Sequence, residues 1–279
     1  MCAYERYCVC VRHSRSCINA VYNVHMRFVD SHYHVIAPYG EHEGQDLGYD
    51  NSDNIYISAL DFPDPAFREL VRQFDTDGDS GLSQAEMDTV TTLECWTPTP
   101  IHSLKGIERF TNLRTLWCID HRELASIDLS RNTKLEKLYC YGTGLISLDV
   151  SHCPYLTTLH CQNCALKTLT LGRQNNLEYF NCGENKLTAL DVTRCPNLIR
   201  LQCMDNQLET LTLGDHPKLA TLACFHNRIN RIDLSGCPIL LELWSRGGES
   251  GSGDLYSDPN DTLSYFSLDT GTTLITYQP

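Results

Sequence analysis

Several features are scarce or missing in this chain, and each absence excludes a class of protein. No apolar run approaches the roughly 18 residues that a membrane-spanning helix needs. Basic residues are the minority, 22 against 35 acidic ones, which gives a formal net charge of −13. A surface for nucleic acid or anionic lipid would instead carry a basic stripe. We therefore predict no membrane span and no nucleic-acid partner.

The common catalytic motifs are also missing. The sequence contains no G-x-S-x-G, no phosphate-binding P-loop, no G-x-G-x-x-G and no H-E-x-x-H. Its histidines stand alone, without a recognisable nucleophile or acid partner. We therefore predict a protein that is not an enzyme.

The first 20 residues lack the apolar segment of a secretory signal, because charged residues and histidines interrupt them. Residues 1–54 are expected to form a poorly ordered segment or leader. Four cysteines and four histidines in this region could instead hold a metal, although their spacing matches no zinc module. These residues are Cys2, Cys8, Cys10, Cys17, His13, His25, His32 and His34.

Cysteine, by contrast, is abundant: there are 15 in 279 residues, and seven of them are evenly spaced. The spacing settles at 21 residues, and each of these cysteines lies in or close to the pattern Leu-x-x-Leu-x-Cys. In the regular repeats a second run, Leu-x-x-Leu-x-Leu or Val, follows. A fixed period of this length is typical of a solenoid, in which stacked coils share one core. The seven are Cys95, Cys118, Cys140, Cys161, Cys182, Cys203 and Cys224.

The repeat, over about residues 90–245, resembles the leucine-rich repeat family in its short bacterial form. It comprises about six full units of about 21 residues plus partial ones. The resemblance implies an α/β-type solenoid, a right-handed horseshoe coil with a parallel β-sheet. Family members carry Asn or Cys three residues after the ladder residue, where the side chain bonds the turn backbone. Cys164, Asn185, Asn206 and Asn227 match, whereas the early units have His121 and Thr143, so the polar ladder is expected to be weaker there.

The thiols of the repeat are predicted to be buried and chemically inert. Neighbouring parallel strands lie about 4.8 Å apart, which exceeds the roughly 3.8 Å between Cβ atoms that a disulfide prefers. A second set, Cys153, Cys195 and Cys237, recurs every 42 residues. These cysteines would be two coils apart, too far to pair. We expect neither disulfides nor a zinc site in the solenoid.

Residues 55–89 are predicted to form a cap on the solenoid. Residues 62–74 read as a helix with Asp64 as its N-cap and Pro65 at its first position. The next 12 residues resemble an EF-hand calcium loop, except that Ser80 stands where the loop needs a positive φ, usually supplied by Gly, at a cost of about 1 kcal/mol. The alternative is an acidic cap without metal. The predicted Ca²⁺ ligands are Asp75, Asp77, Asp79, Gly81 (carbonyl), Ser83 and Glu86.

The residues that flank each inward Leu and Cys are predicted to face solvent on the concave sheet. Aromatic residues cluster there in the first three coils. Such an exposed patch usually marks a contact site, although aromatic residues also favour strands in general and a cap segment could cover them. The predicted partner-binding residues are Trp96, Trp117, Ile119, Tyr139, Tyr141, His160, Tyr179, Arg200 and Phe225.

The C-terminal part is predicted to close the solenoid. Residues 240–245 are expected to begin one more coil, with Ser245 in the cysteine position. Residues 246–261 are rich in Gly, Ser and Asp and read as a linker. Residues 262–278 alternate apolar and polar residues, which indicates a hairpin or simply an edge strand.

Together these patterns predict a monomeric interaction protein that binds a protein or glycan on its concave sheet and holds a structural Ca²⁺ in its cap. A calcium-dependent surface or adhesion module is the alternative. The family resemblance points to an extracellular or cell-surface location. A loop with a defect at Ser80 also suits millimolar extracellular calcium better than the cytosol.

Overall fold

The computed structural model describes residues 9–11, 27–29, 35–38, 54–245, 266–267 and 272–275. The chain divides into two units, Met1–Asp53 and Asn54–Pro279. In the first unit β1 (Val9–Val11) pairs in parallel with β2 (Arg27–Val29), which pairs antiparallel with β3 (Val35–Pro38). Of the N-terminal cysteines and histidines, only Cys10 falls in one of these strands; the others lie outside the described residues, as does the predicted linker 246–261.

The second unit is a parallel-sheet solenoid, as predicted. Each coil contributes one three-residue strand to the main sheet, and successive strands pair in parallel and in register. The central residue of every strand is buried and points into the coil. The strands are β6 (Thr92–Glu94), β7 (Thr115–Trp117), β8 (Lys137–Tyr139), β10 (Thr158–His160), β12 (Tyr179–Asn181), β14 (Arg200–Gln202) and β16 (Thr221–Ala223).

The second apolar run of the repeat units from Ser147 onward also forms three-residue strands. They join into separate two-stranded parallel sheets, β9 with β11, β13 with β15, and β17 with β19. Both apolar runs of the repeat therefore form strands, but only the strands of the first run join into one continuous sheet. The strands are β9 (Ser147–Asp149), β11 (Thr168–Thr170), β13 (Ala189–Asp191), β15 (Thr210–Thr212), β17 (Arg231–Asp233) and β19 (Thr273–Ile275).

The core consists of stacked leucines and cysteines. The regularly spaced cysteines from Cys95 to Cys224 are 0–3% exposed, and the eleven cysteines from Cys95 to Cys237 are free thiols. Burial raises the pKa of the Cys95 thiol to about 12 and raises that of Cys161 well above its ordinary value. A thiol with so high a pKa carries almost no thiolate, which is the reactive form. The prediction of buried, inert thiols is confirmed for these residues.

A cap precedes the first coil. Helix α1 (Pro65–Val71) begins after Asp64, whose carboxylate accepts from the backbone N–H groups of Ala66 and Phe67, and Pro65 occupies the first turn. A 3₁₀ turn, Arg72–Phe74, then leads to the loop before β5 (Gly81–Leu82) and α2 (Gln84–Thr89). Strand β5 pairs antiparallel with β4 (Ile55–Tyr56).

The cap is fixed to the first coil by phenylalanines. The ring of Phe110, which follows the 3₁₀ turn Ile107–Arg109, lies 6.4 Å from Phe62 and 5.8 Å from Phe74, measured between ring centroids. Phe62 also contacts Phe67 edge-to-face. These rings bury the apolar face that the helix presents, so the open end of the solenoid is covered.

The C-terminal end differs from the prediction. Residues 238–245 form helix α3 (Pro238–Ser245) and not another strand with Ser245 in the cysteine position. Leu243 follows Ile239 by four residues and Leu240 by three, which also suits a helical face. The strand place beside β16 is taken by β18 (Phe266–Ser267), and β19 extends β17. The C-terminal strands thus lie at the edges of the two sheet systems. No helix of the described residues is long and apolar enough to cross a membrane.

Candidate functional site

The concave face of the main sheet carries the residues predicted to bind a partner. Each strand turns its first and third residues outward, and the residue two positions further on continues the same face. Trp96 is the most open, with 65% of its surface exposed. The other predicted residues are partly exposed: Trp117, Ile119, Tyr139, Tyr141, His160, Tyr179, Arg200 and Phe225.

Three of these residues contact one another across adjacent coils. Trp117, Tyr139 and His160 are register partners in β7, β8 and β10. The rings of Trp117 and Tyr139 stack with centroids 3.8 Å apart and planes 11° apart. The ring of Tyr139 meets that of His160 edge-to-face at 5.2 Å. We call these three residues the aromatic ladder.

The stacking fixes how the aromatic ladder faces solvent. Because the strands of Trp117 and Tyr139 are neighbours in the sheet, the stacking direction runs from strand to strand. The two ring planes therefore stand upright on the sheet and turn their edges outward. One face of Tyr139 is covered by Trp117 and the other by His160. The rings carry two polar groups, the indole N–H of Trp117 and the phenol O–H of Tyr139, and the phenol is also hydrogen-bonded with Thr158.

Burial shifts the pKa values of the two ionisable residues of the aromatic ladder. It raises the pKa of Tyr139, and it lowers the pKa of His160 to about 4, with the positive charge of Arg200 adding to the effect. Both side chains are therefore neutral at physiological pH. The charges beside the aromatic ladder come instead from Lys137, which is exposed, and Asp120, which begins the following turn with φ 61°.

The later coils do not continue this open surface. The positions that follow His160 along the aromatic ladder are Asn181, Gln202 and Ala223, all buried. The next column is closed as well, because the side chain of Met204 lies over Gly183; a Cβ at that glycine would come within 2.8 Å of the Met204 sulfur. Alternation along a strand places side chains outward but does not show whether they cover each other. These two columns are accordingly most open in the first coils, while Tyr179, Arg200 and Phe225 remain partly exposed in the later ones.

The predicted calcium loop brings three of its carboxylates together. Asp75, Asp77 and Glu86 each offer an oxygen within 4.8 Å of the others. Glu86 is 8% exposed, and hydrogen bonds from Ser83 and Thr76 lower its pKa to about 2. Ser80 has φ 68°, the left-handed conformation that the loop requires at this position. Glu86 is thus ionised at neutral pH, and the three carboxylates lie close enough together for a single cation.

The other three predicted ligands have different contacts. Asp79 accepts from Asn54 Nδ2 at 2.6 Å and from the N–H of Gly81 at 2.7 Å. Ser83 caps α2, and its hydroxyl and N–H both donate to Glu86. Gly81 lies in β5. The structure therefore brings together the carboxylates of Asp75, Asp77 and Glu86, whereas the other three predicted ligands form hydrogen bonds or backbone pairing within the loop.

The sequence analysis missed one set of buried polar residues. In the coils that alternate with those of Cys153, Cys195 and Cys237, the equivalent turn positions hold Asn132, Gln174 and His216, all fully buried. Gln174 Nε2 donates to the carbonyls of Val150 and Leu171, and so ties two coils together. The ring of His216 faces the equivalent carbonyls of Val192 and Leu213, but neither ring nitrogen has the geometry of a full hydrogen bond. The 42-residue spacing of these cysteines could have identified the three residues, because it leaves every second equivalent turn position without a cysteine.

Comparison with known proteins gives the class of this fold. No family model and no curated protein matches the chain. Among solved structures it is similar to the functional domain of InlJ from Listeria monocytogenes, described as including a cysteine ladder, with 28% identity and a TM-score of 0.56. That match covers 67% of this chain and 42% of the InlJ chain, so this chain spans less than half the length of that relative.

Two further internalins of Listeria monocytogenes are similar. Internalin C2 is 20% identical with a TM-score of 0.43, over 68% of this chain and 92% of its own. An internalin named inlF is 18% identical with a TM-score of 0.26, over 64% and 80%. The similarity to the InlJ domain, which is described as including a cysteine ladder, agrees with the leucine-rich repeat solenoid and the stacked thiols of this chain.

Proposed function

We propose that this protein is a non-catalytic interaction module, which binds a protein partner on the N-terminal half of its concave sheet. The observation that carries the proposal is the aromatic ladder of Trp117, Tyr139 and His160, stacked and only partly covered. Aromatic side chains held rigid at the centre of a concave surface are the usual anchors of protein interfaces. Contact between the rings reduces the entropy that binding would otherwise cost.

A protein partner fits the aromatic ladder better than a glycan does. Stacking of a sugar on an aromatic side chain requires an open ring face, whereas both faces of Tyr139 are occupied and one face of Trp117 is. Outward edges with N–H and O–H donors suit apolar side chains and backbone carbonyls instead. A glycan that bound through the face of Trp117 turned away from Tyr139 is the competing possibility.

The test uses immobilised protein to capture partners from cell-envelope and host-surface extracts, followed by affinity measurement with each purified candidate. Replacing Trp117 and Tyr139 together by Ala should weaken the captured complex at least 100-fold, about 2.7 kcal/mol. The matched control is Tyr155→Ala, because Tyr155 is an exposed aromatic residue, 58% accessible, in a turn away from the main sheet. Equal affinities for the double variant and the control would exclude the aromatic ladder as the contact site.

We also propose that the cap holds one structural Ca²⁺. The residues that would hold it are Asp75, Asp77 and Glu86, whose carboxylates already lie together. Oxygen ligands of this kind suit Ca²⁺, which accepts flexible geometry. The ion would neutralise their mutual repulsion and tie the loop to α2, which carries Glu86. Because α2 leads directly into β6, the first strand of the sheet, a firmer loop would stabilise the covered end of the solenoid.

Thermal unfolding in 2 mM Ca²⁺ and in chelator tests this site. These conditions saturate and empty a weak site with a dissociation constant of about 0.1 mM. Saturation should raise the unfolding temperature, and Asp75→Asn should abolish the rise. Asp88→Asn is the control, since Asp88 is an exposed carboxylate of the same helix outside the cluster. Identical melts with and without calcium would refute the calcium site and leave the partner surface unaffected.

An extracellular or cell-surface location follows as part of the same proposal. A loop strained by Ser80 would fill with calcium at millimolar concentration, which is found outside cells. The buried thiols need no disulfide and would persist in an oxidising medium. Fractionation of the producing cells, with an antibody to this chain, tests the location directly; recovery only from the cytosol would exclude it.

A further inference from the structure

A cavity of about 400 Å³ lies between the cap and the first two coils. This volume falls in the range of small-molecule pockets, roughly 300–1,000 Å³. The concave sheet and the calcium loop contribute none of its lining residues. The cap supplies Ile55, Gln84 and Met87, and the coils supply Glu108, Arg109, Thr111 and Arg131.

The lining divides into an apolar and a cationic side. Ile55 and Met87 offer hydrocarbon surface from β4 and α2, whereas Arg109 and Arg131 come from two successive coils. The lining contains two guanidinium groups and one carboxylate, that of Glu108, which already accepts from the backbone N–H of Gly106 at 2.8 Å. The lining residues themselves therefore carry one net positive charge, and the Asp61 carboxylate beside them pairs with Arg109.

Arg109 is positioned by the protein but not fully satisfied by it. Its Nη2 donates to Asp61 at 3.0 Å, which fixes the direction of the guanidinium. Its Nε is buried without a hydrogen-bond partner among the described residues and is out of reach of a ligand. A guanidinium carries five donors in a planar fork, and the side chain is 32% exposed. The Nη groups are accordingly the donors suited to an anionic ligand.

We propose that this cavity binds a small organic anion. Its carboxylate or phosphate group lies against Arg109 and Arg131, with Thr111 and Gln84 as additional donors. Its apolar body packs on Ile55 and Met87. Arginine favours these two anion types because its fork matches their paired oxygens. Since Gln84 and Met87 belong to the cap and the arginines to the coils, the ligand bridges the two parts.

Phenyl phosphate is the probe, because it joins a phosphate to a small apolar ring. Titration calorimetry of the full chain should show saturable binding with one site. Inorganic phosphate lacks the apolar body and benzyl alcohol lacks the charge, so each should bind at least tenfold more weakly. Absence of saturable phenyl phosphate binding, or equal binding of benzyl alcohol, overturns the proposal.

Two variants locate the site. Arg131→Gln should weaken phenyl phosphate binding at least tenfold, and Arg109→Lys should do the same, since lysine keeps the charge near Asp61 but loses the fork. Arg122→Gln is the matched control: Arg122 is exposed, lies outside the cavity lining and makes the same change in net charge. Circular dichroism verifies that each variant is folded. Affinities of both cavity variants equal to that of the control contradict the assignment.

Discussion

The turns after the main strands are held differently in the early and the late coils. In the late coils Asn185, Asn206 and Asn227 occupy this position. The amide of Asn206 donates to the carbonyls of Cys182, Cys203 and Met204 at 2.9–3.2 Å, and its oxygen accepts from the N–H of Leu187 at 3.0 Å. One buried side chain therefore satisfies four backbone groups and links consecutive coils.

The early coils use His121, Thr143 and Cys164 at the same position. The hydroxyl of Thr143 donates to the carbonyl of Cys140 at 2.7 Å, within its own coil. The thiol of Cys164 reaches the carbonyls of Cys140 and Gln162 at 3.3 and 3.4 Å, and a thiol is a weak donor. His121 accepts from the N–H of Ile101 at 3.2 Å and bonds the carbonyl of Cys95 at 2.9 Å, so it links coils as the asparagines do. The predicted weakness of the early ladder is thus visible at Thr143 and Cys164 but not at His121. The coils of Tyr139 and His160 in the aromatic ladder therefore have the weaker turns.

Replacing Asn206 by Ala should give the largest stability loss. It would leave three carbonyls and one N–H buried with fewer partners, and unpaired buried groups cost about 1–3 kcal/mol each before relaxation. We expect the free energy of unfolding to fall by about 3 kcal/mol in urea titration. Thr143→Ala, which removes the bond to the Cys140 carbonyl and the 3.1 Å contact of the hydroxyl with the Cys164 thiol, should cost about 1 kcal/mol. Similar losses for both variants would mean that the two halves are equally bonded.

Single substitutions at His216 and Gln174 compare two alternate coils on the opposite side of the solenoid. Gln174 satisfies two carbonyls through one amide, whereas the imidazole of His216 reaches the equivalent carbonyls of Val192 and Leu213 with poorer geometry. His216→Gln should raise the free energy of unfolding by about 1 kcal/mol, and Gln174→His should lower it by about the same amount. Urea titration of both single variants checks the prediction, which fails if His216→Gln destabilises the chain.

The repeat made most of the fold predictable. A leucine or cysteine at a fixed 21-residue interval can bury its side chain only if the coils stack, so strand positions and inward faces followed from spacing alone. The helix of residues 238–245 did not follow, because Leu240, Leu241 and Leu243 fit both a strand of the repeat and a helical face. Local periodicity cannot choose between these when tertiary packing decides.

The site was predictable as a set of residues but not as a geometry. Alternation along the strands placed Trp117 and Tyr139 side by side on one face, and the structure confirms that placement. It could not show that the two rings stack, nor that Met204 covers Gly183. Both depend on rotamers, which the identity of neighbouring residues does not fix. The cavity at the cap likewise joins residues far apart in sequence and carries no motif.

Cys164→Asn should make an early coil resemble a late one. The thiol of Cys164 already points to the carbonyls that an asparagine amide would reach, and an asparagine oxygen would accept from the N–H of Leu145, as Asn185 does from Leu166. We expect a gain of about 1 kcal/mol in the free energy of unfolding. The same substitution at Thr143 serves as comparison, because its hydroxyl is already well bonded and should gain less. A destabilised Cys164→Asn variant would show that the early turns exclude asparagine by shape.

The smallest effect concerns pH and the end of the aromatic ladder. The folded protein holds the pKa of His160 at about 4, below the 6.5 of an unperturbed histidine. The unfolded chain therefore takes up this proton first, and the stability that neutral His160 contributes is complete above pH 6.5 and is lost as the pH falls toward 4. After allowance for solvent screening, His160→Gln should remove about 0.5 kcal/mol of the loss between pH 7 and pH 5.5. Unfolding in urea at both pH values measures the difference, and His152→Gln, at an exposed histidine in a turn, is the control. Parallel pH profiles for His160→Gln and the unsubstituted chain would mean that solvent reaches the ring, and that the early half of the sheet is more open than its stacking indicates.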